Sequence, residues 1–286
     1  MSPPPTPTVS IVLVNYNTTP LLLDCLRSIE DHFDACTYEV IVVDNASDGF
    51  VPTDITGVHP HVKVLTNAEN LGFGAANNNG AEVAAGTYLW LLNTDTLVPP
   101  RNNLGAVLDF LDENPSHAAA SPNLVNAKSE PQAIQRGYFP SLGRLLAEKP
   151  ARRLARAAPA ARPWLGWIDF NFKPLEESDV PVVVAASMFV RKRHFGDVGG
   201  FSPDYFMFLE DSDLCRKFAQ RGYRVRFLPQ ATVVHHLGGS IRDHYDRMLM
   251  YVNSRERYFG RWSSPPVAGI VHSLTLLLIT IAAAQW

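Results

Sequence analysis

The 286-residue chain has few cysteines, no excess of basic residues and no recognised nucleotide loop. Its three cysteines, Cys25, Cys36 and Cys215, are odd in number and form no C-x-x-C pair. That excludes a zinc knuckle and a disulfide framework, and it suits a reducing compartment. Lys and Arg number 25 against 28 Asp and Glu, a net charge of −3, so no nucleic-acid partner is expected. The segment Asn70-Leu71-Gly72-Phe73-Gly74 departs in spacing from G-x-G-x-x-G, and no Walker lysine follows it. A dinucleotide or P-loop reading is therefore poor. Met1 to Thr8 holds four prolines and no apolar h-region, and reads as a disordered leader rather than a signal peptide. No internal repeat is present. Hydrophobic residues make up 46% and charged residues 19%, which excludes a mostly disordered chain and supplies a substantial core.

The apolar runs give the fold class. Val9 to Val14 is β-branched and almost unbroken, the pattern of a strand buried on both faces. Thr18 or Thr19 can cap a helix with Pro20 at its start, and Leu22, Leu26, Ile29 and Phe33 fall on one face of it. Val40 to Val43, ending in Asp44, completes a β-α-β unit with parallel strands. The alternation continues with a strand at Val62 to Leu65, a helix at Ala75 to Ala85 and a strand at Thr87 to Leu92. A further helix carries Leu104, Val107, Leu108 and Leu111. Asn77, Asn78, Asn79 and Gly80 are poor helix formers, so that helix face serves something besides stability. Later come a strand at Val182 to Val190, a helix at Glu210 to Arg221 and strands at Tyr223 to Leu228 and Thr232 to His235.

Two stretches break this regularity. From Arg136 to Arg162 seven basic residues face one acid, a local charge of +6, with three prolines interspersed and Pro163, Trp164 and Trp167 following. It reads as a surface excursion with short helices, either plain solvated surface or a contact for anionic lipid headgroups. Val267 to Ala284 carries no Lys, Arg, Asp or Glu over 18 residues. A span needs about 20, so a buried or membrane-lying helix is the preferred reading.

Ligands of open α/β sheets bind at the carboxyl ends of strands. Four strands here end in polar residues, at Asn15-Tyr16-Asn17, Asp44-Asn45, Asn93-Thr94-Asp95 and His235-His236. Asp95 is a candidate ligand for Mg2+ or Mn2+ against a diphosphate, with His235 as its natural second; a structural imidazole is the plain alternative. Glu210, Asp211 and Asp213 follow the apolar run Phe206 to Leu209. Helix capping accounts for them, and so does a carboxyl raised toward general-base duty by apolar surroundings.

Six segments together resemble the inverting family 2 glycosyltransferases with the GT-A fold, and within them the rhamnosyltransferase-like subgroup. They are VSIVLVNYN (9–17), VIVVDNASDG (40–49), NLGFGAANNNGA (70–81), LWLLNTDT (89–96), VGGFSPDYFMFLEDSDLCRKFAQRGYRV (198–225) and ATVVHHLGGS (231–240). The resemblance implies a mostly parallel, Rossmann-like sheet flanked by helices over residues 9–240, with a C-terminal helical extension over 241–286. It implies that Asn15, Asn17 and Asp44 line the nucleotide pocket and that Asn70 and Asn77 hold the nucleotide or sugar side. Asn93 and Asp95 match the metal motif, His235 joins the metal site, Asp211 is the general base and Glu210 supports it or positions the acceptor.

The implied cofactor is Mn2+ or Mg2+. The implied donor is a nucleotide sugar, dTDP-rhamnose foremost, and the acceptor a glycan or lipid-linked saccharide in surface polysaccharide synthesis. The expected location is the cytoplasm, peripheral on the inner membrane face. Another transferred hexose, or an inactive glycan- or nucleotide-binding module of the same fold, are the alternatives. The chain departs from the family where Asn93 replaces the first carboxylate of D-x-D, where Ser202-Pro203 replaces Asp-Glu, and at Ala185-Ala186-Ser187.

Overall fold

The first apolar run forms strand β1 (Val9–Asn15), buried at every position except Val14. It is followed by α1 (Thr19–His32), β2 (Tyr38–Asp44), α2 (Pro52–Thr56), β3 (Val62–Thr66), α3 (Phe73–Val83) and β4 (Tyr88–Asn93). Next come β5 (Thr96–Leu97), α4 (Gly105–Glu113), β6 (His117–Val125), β7 (Arg136–Gly137), α5 (Leu142–Ala157), β8 (Ser178–Asp179) and β9 (Val182–Val183). The chain continues through β10 (Ser187–Arg191), α6 (Lys192–Asp197), α7 (Glu210–Gln220), β11 (Arg224–His235), α8 (His244–Trp262) and α9 (Pro265–Ala283). This computed structural model describes residues 6–236 and 244–283. The first five leader residues, the LGGS end of the last motif, residues 241–243 and Ala284 of the apolar stretch lie outside the described residues.

Among the described residues the main sheet has the order β3-β2-β1-β4-β10-β6-β11-β5, with β8 also pairing on β11. Strands β3, β2, β1 and β4 are mutually parallel. β10 runs antiparallel to both β4 and β6, and β11 is parallel to β6. β6 and β11 therefore point the same way as β1 to β4, and the carboxyl ends of β1, β2, β4 and β11 open on one rim.

Side-chain alternation along β1 splits the core in two. Ile11 and Leu13 face a layer built on Leu22, Leu26 and Ile29 of α1 and Val107, Leu108 and Leu111 of α4. Val12 faces the opposite layer, with Ala76 of α3 and Leu214 and Phe218 of α7. Truncating one of these leucines, Leu26→Ala for example, costs about 2–5 kcal/mol. The weak helix formers of α3 have a packing reason. A Cβ on Gly80 would lie 2.5 Å from Val12 Cγ1, so only glycine lets α3 lie this close to the sheet.

Several expected elements differ in the structure. β6 has no counterpart in the sequence reading, because Ala118-Ala119-Ala120 and Pro122 give no strand signal, yet all nine of its residues are buried. The two strands expected at 223–235 are one, β11, whose register slips between Leu228 and Thr232 beside the Leu228–Pro122 pair. Proline cannot donate to a ladder, and the slip absorbs that gap. The single strand expected at 182–190 is two, β9 and β10, broken at 184–186. The basic excursion carries a full 16-residue helix, α5, with an exposed Pro150 inside it, and then two short 3₁₀ turns at Pro159–Leu165 and Phe170–Phe172.

The C-terminal helices pack on the domain. Tyr258 and Phe259 of α8 and Val271 of α9 are buried with Tyr205, and Leu142, Leu145 and Leu209 close the cluster. No helix among the described residues is long and apolar enough to cross a membrane.

Candidate active site

The β1 and β2 tips form one hydrogen-bonded unit. Asn15 Nδ2 donates to Asp44 Oδ1 at 2.8 Å, and the Ser47 amide donates to Asp44 Oδ2 at 3.0 Å. Both Asp44 oxygens thus have protein partners, and the residue is only 3% exposed. Asn17 takes the left-handed conformation (φ 55°), and its Oδ1 accepts from the Asp48 amide at 2.8 Å. Thr18, one of the two threonines expected to cap α1, stands at the cap position but makes no cap bond. Its hydroxyl donates to Asn15 Oδ1 at 3.0 Å and lies 3.0 Å from Thr94 Oγ1, so it joins the β1 tip to the β4 tip.

Asn45, which sequence reasoning noted at a strand end and gave no role, is the hub of the next layer. Its Nδ2 donates to Asn70 Oδ1 at 2.7 Å, and its Oδ1 accepts from Asn67 and from the Leu71 amide. This network fixes the turn into α3. There Gly72 has φ 83°, and a Cβ on it would sit 2.3 Å from the Phe206 carbonyl oxygen. The three asparagines of α3 divide their tasks. Asn78 clamps the Phe201 backbone through both its amide and its carbonyl, and Asn79 bonds Asn67. Asn77 spends its Nδ2 on the Phe73 carbonyl while its buried Oδ1 has no partner among the described residues.

The β4 tip brings Asn93, Thr94 and Asp95 to the same rim. The His236 amide donates to the Asp95 carbonyl at 2.8 Å, and His235 Nε2 stands 3.3 Å from Asp95 Oδ1. Both side chains are buried to within 9% exposure. Asn93 Oδ1 is buried and has no partner among the described residues. No cluster of three or more His, Cys, Asp or Glu is present among the described residues. A cation here would therefore rest on Asp95 and His235 and on oxygens brought by a ligand. The pair is chemically suited to that, because a carboxylate and an imidazole nitrogen are hard and borderline donors for Mn2+ or Mg2+. Cys25 lies nearby but is no ligand, since burial pushes its thiol up to about 12 and keeps it neutral.

The carboxylates of α7 are presented by an unusual turn. Phe208 (φ 70°) and Leu209 (φ 64°) are consecutive bulky residues in the left-handed region. That conformation costs about 1–2 kcal/mol each. The turn is held from two sides. The Phe73 amide donates to the Phe206 carbonyl at 2.9 Å, and Ser254 Oγ of α8 donates to the Met207 carbonyl at 2.7 Å.

Glu210 is buried, and its Oε2 has no partner among the described residues. Asp211 is half-buried and accepts from the Ser212 amide at 2.6 Å. Burial, and then the charge of Asp211, hold the Glu210 carboxyl far above the usual range. Burial raises Asp211 as well, opposed by the Ser212 donors. Asp213, fully buried, is structural. It accepts from Ser202 at 2.6 Å and from the Trp262 indole at 2.8 Å, fastening α8 to α7.

The break between β9 and β10 joins the two halves of the site. The Asn93 amide donates to the Ala186 carbonyl at 3.0 Å, while the neighbouring Ala185 amide favours the charged form of Asp211. The β4 tip and the acidic start of α7 thus flank two adjacent residues within Ala185-Ala186-Ser187, one of the three places where the sequence departs from the family pattern.

Residues 10–171 match the family model for glycosyl transferase family 2, and residues 172–285 match that for glycosyl transferase family group 2. The chain belongs to glycosyl transferase family 2. This family 2 glycosyltransferase is similar to the N-acetylglucosaminyl-diphospho-decaprenol L-rhamnosyltransferase of Mycobacterium tuberculosis. The two are 26% identical over 288 residues, which cover 91% of this chain and 88% of that one. Among solved structures it resembles a mannosyltransferase from Pyrobaculum calidifontis in complex with GDP-Man and Mn2+, with a TM-score of 0.61 at 20% identity. The match covers 96% of this chain and 70% of that one. It also resembles GalNAc-T7 with UDP, GalNAc and Mn2+, with a TM-score of 0.64 at 16% identity. That match covers 91% of this chain, which spans about half (49%) of the other. These likenesses establish the GT-A fold for the glycosyltransferase.

Proposed function

We propose that the enzyme transfers rhamnose from dTDP-rhamnose to a lipid-linked saccharide in surface polysaccharide synthesis, by a single displacement that inverts the anomeric carbon. The observation that carries this reading is the shared rim. Asp95 and His235 meet there, and residues 185–186 bring the acidic start of α7 to the same β4 tip. The rhamnosyl donor and the lipid-diphosphate acceptor are inferred from the Mycobacterium tuberculosis relative, which covers nearly the whole chain.

In this mechanism Asp211 takes the proton from the acceptor hydroxyl as that oxygen bonds to the anomeric carbon. The bond from that carbon to the diphosphate oxygen breaks, and the nucleoside diphosphate leaves with the electron pair. Glu210, kept neutral by its surroundings, donates a hydrogen bond that orients the acceptor or supports Asp211. Asn15, Asn17 and Asp44 shape the nucleotide end, and Asn70 and Asn77 line the sugar side. Asp95 and His235 would hold Mn2+ or Mg2+, with Asn93 beside them; when bound, the ion supplies neutralisation of the departing diphosphate. The enzyme works at the cytoplasmic face of a membrane, held peripherally by the basic surface of α5.

Calorimetry with dTDP-, UDP- and GDP-linked sugars, each with and without Mn2+ or Mg2+, tests the reading. One dTDP donor that binds with the metal, and weakens in Asp95→Ala, is the expected result. Preference for another nucleotide moves the donor to another hexose. No binding to any donor by folded protein overturns the catalytic reading in favour of an inactive module.

A further inference from the structure

Behind His235 stands a side chain that nothing in the sequence marks. Gln132 lies in the loop after β6, is 7% exposed, and reaches His235 with both ends of its amide. Its Nε2 is 2.6 Å from the His235 carbonyl oxygen, and its Oε1 is 2.9 Å from His235 Nδ1. A backbone carbonyl only accepts, so the NH2 end of Gln132 must face it. The oxygen end then must face Nδ1, and Nδ1 must carry a proton to make that bond. The amide has no freedom to turn over. Its own backbone is pinned, because the Gln132 amide donates to the Leu124 carbonyl at 2.8 Å, and the Gln132 carbonyl accepts from Gln135 Nε2 at 3.1 Å. Gln135 is in turn fixed by the Leu124 amide, which donates to its Oε1 at 2.8 Å.

We propose that Gln132 is a positioning residue that holds His235 as the Nδ1–H tautomer, so that Nε2 turns a lone pair toward Asp95. Left to Asp95 alone, the ring would choose the other tautomer. An Nε2–H would donate to Asp95 Oδ1 across the observed 3.3 Å and close the site with an internal hydrogen bond. With the proton held on Nδ1, two acceptors face each other in a buried place. That arrangement is unfavourable until a proton or a metal cation comes between them; with the metal cation it is the arrangement a metal-binding histidine needs. The consequence for a cation rests on the metal site proposed above; the tautomer does not.

The test reads the two separately. Long-range 15N–1H correlation at mildly alkaline pH, where an ordinary imidazole is neutral, gives the His235 tautomer, with His235→Gln providing the assignment. The wild type is expected to show Nδ1–H and Gln132→Met to shift toward Nε2–H. Mn2+ affinity in the presence of dTDP, read by electron paramagnetic resonance, should fall about 10–100-fold in Gln132→Met.

An Nε2–H tautomer in the wild type overturns the proposal without any variant having to fold. So does a Gln132→Met protein with unchanged tautomer and unchanged Mn2+ affinity. A wild type with Nδ1–H that shifts in Gln132→Met, yet binds no Mn2+, upholds the positioning role and removes the metal site instead.

Discussion

Glu210 and Asp211 are neighbours in sequence with different protonation tasks. Glu210 is the more deeply enclosed and sits against the charge of Asp211, so it holds its proton to higher pH. Asp211 has the Ser212 donors to stabilise its anion, so it ionises first, which suits it to the base role proposed above. Asp211→Asn should lower turnover about 10²–10⁴-fold while donor affinity, measured by calorimetry, stays at the wild-type value. The pH–rate profile should rise along a limb set above the ordinary carboxylate range, since Asp211 must lose its proton before it can act. Stability has the opposite sign. Glu210 has a folded-state pKa above its unfolded value, so its contribution is complete below the ordinary glutamate range and is lost as pH rises through the raised value. Glu210→Gln mimics the protonated form at every pH. Thermal melts should show no gain over wild type in acid and a growing gain toward alkaline pH, about 2–4 °C in Tm for each kcal/mol relieved. A gain that is flat across pH would show that Glu210 is not strained by its own charge.

The turn at 206–209 extends the same logic to elements. Its strain is held between α3, through the Phe73 amide, and α8, through Ser254. The C-terminal extension is therefore part of what aims Asp211. Ser254→Ala leaves the Met207 carbonyl without its donor, a loss of about 1 kcal/mol. Turnover should fall roughly 10–100-fold, as expected when a base is slightly misplaced, with donor KM unchanged and with rescue by Ser254→Thr. Equal loss in kcat and donor affinity would assign Ser254 to general stability.

What was legible in the sequence divides along the same line. Strands such as β1 and β2 announce themselves because burial on both faces needs Val and Ile throughout. The acidic start of α7 and the polar strand tips are legible because they sit at element boundaries. The left-handed turn was not, because Phe208-Leu209 has no local preference for that conformation and tertiary contacts impose it. Asn45 and Gln132 were missed for a related reason. Their roles exist only once loops distant in sequence are brought together, and an isolated Asn or Gln carries no mark of that.

At the scale of the whole molecule the charge is distributed unevenly, and the fold decides which cations are available. Of the seven basic residues in the excursion, Arg136 is buried against the Lys173 and Pro174 carbonyls, Arg144 donates to the Trp167 carbonyl, and Arg152 is paired with Glu148 and Asp169. Lys149, Arg153, Arg156 and Arg162 are exposed. They share this surface with Leu146 (55% exposed), Leu154 (48%), Trp164 (82%) and Trp167 (64%). Large apolar groups interleaved with cations match the headgroup region of an anionic bilayer, where tryptophan rings sit and each nearby cation contributes about 1 kcal/mol. Deleting 265–286 is a poor test of membrane contact, because α9 buries Val271 against Tyr258 and Phe259 and accepts from Arg255 through Thr275. Its loss would disturb α8 and, through Ser254, the turn at 206–209. Surface substitutions keep the fold. Lys149→Glu with Arg153→Glu removes about 2 kcal/mol of attraction, so binding to phosphatidylserine vesicles in a sedimentation assay should weaken at least about 30-fold. Transfer to a short soluble acceptor should be untouched, since both side chains are exposed and neither is among the residues assigned to the site. If the wild type fails to sediment with anionic vesicles at low salt, this surface does not hold the enzyme on the membrane, and access to a lipid-linked acceptor must come from another part of the chain or from a partner.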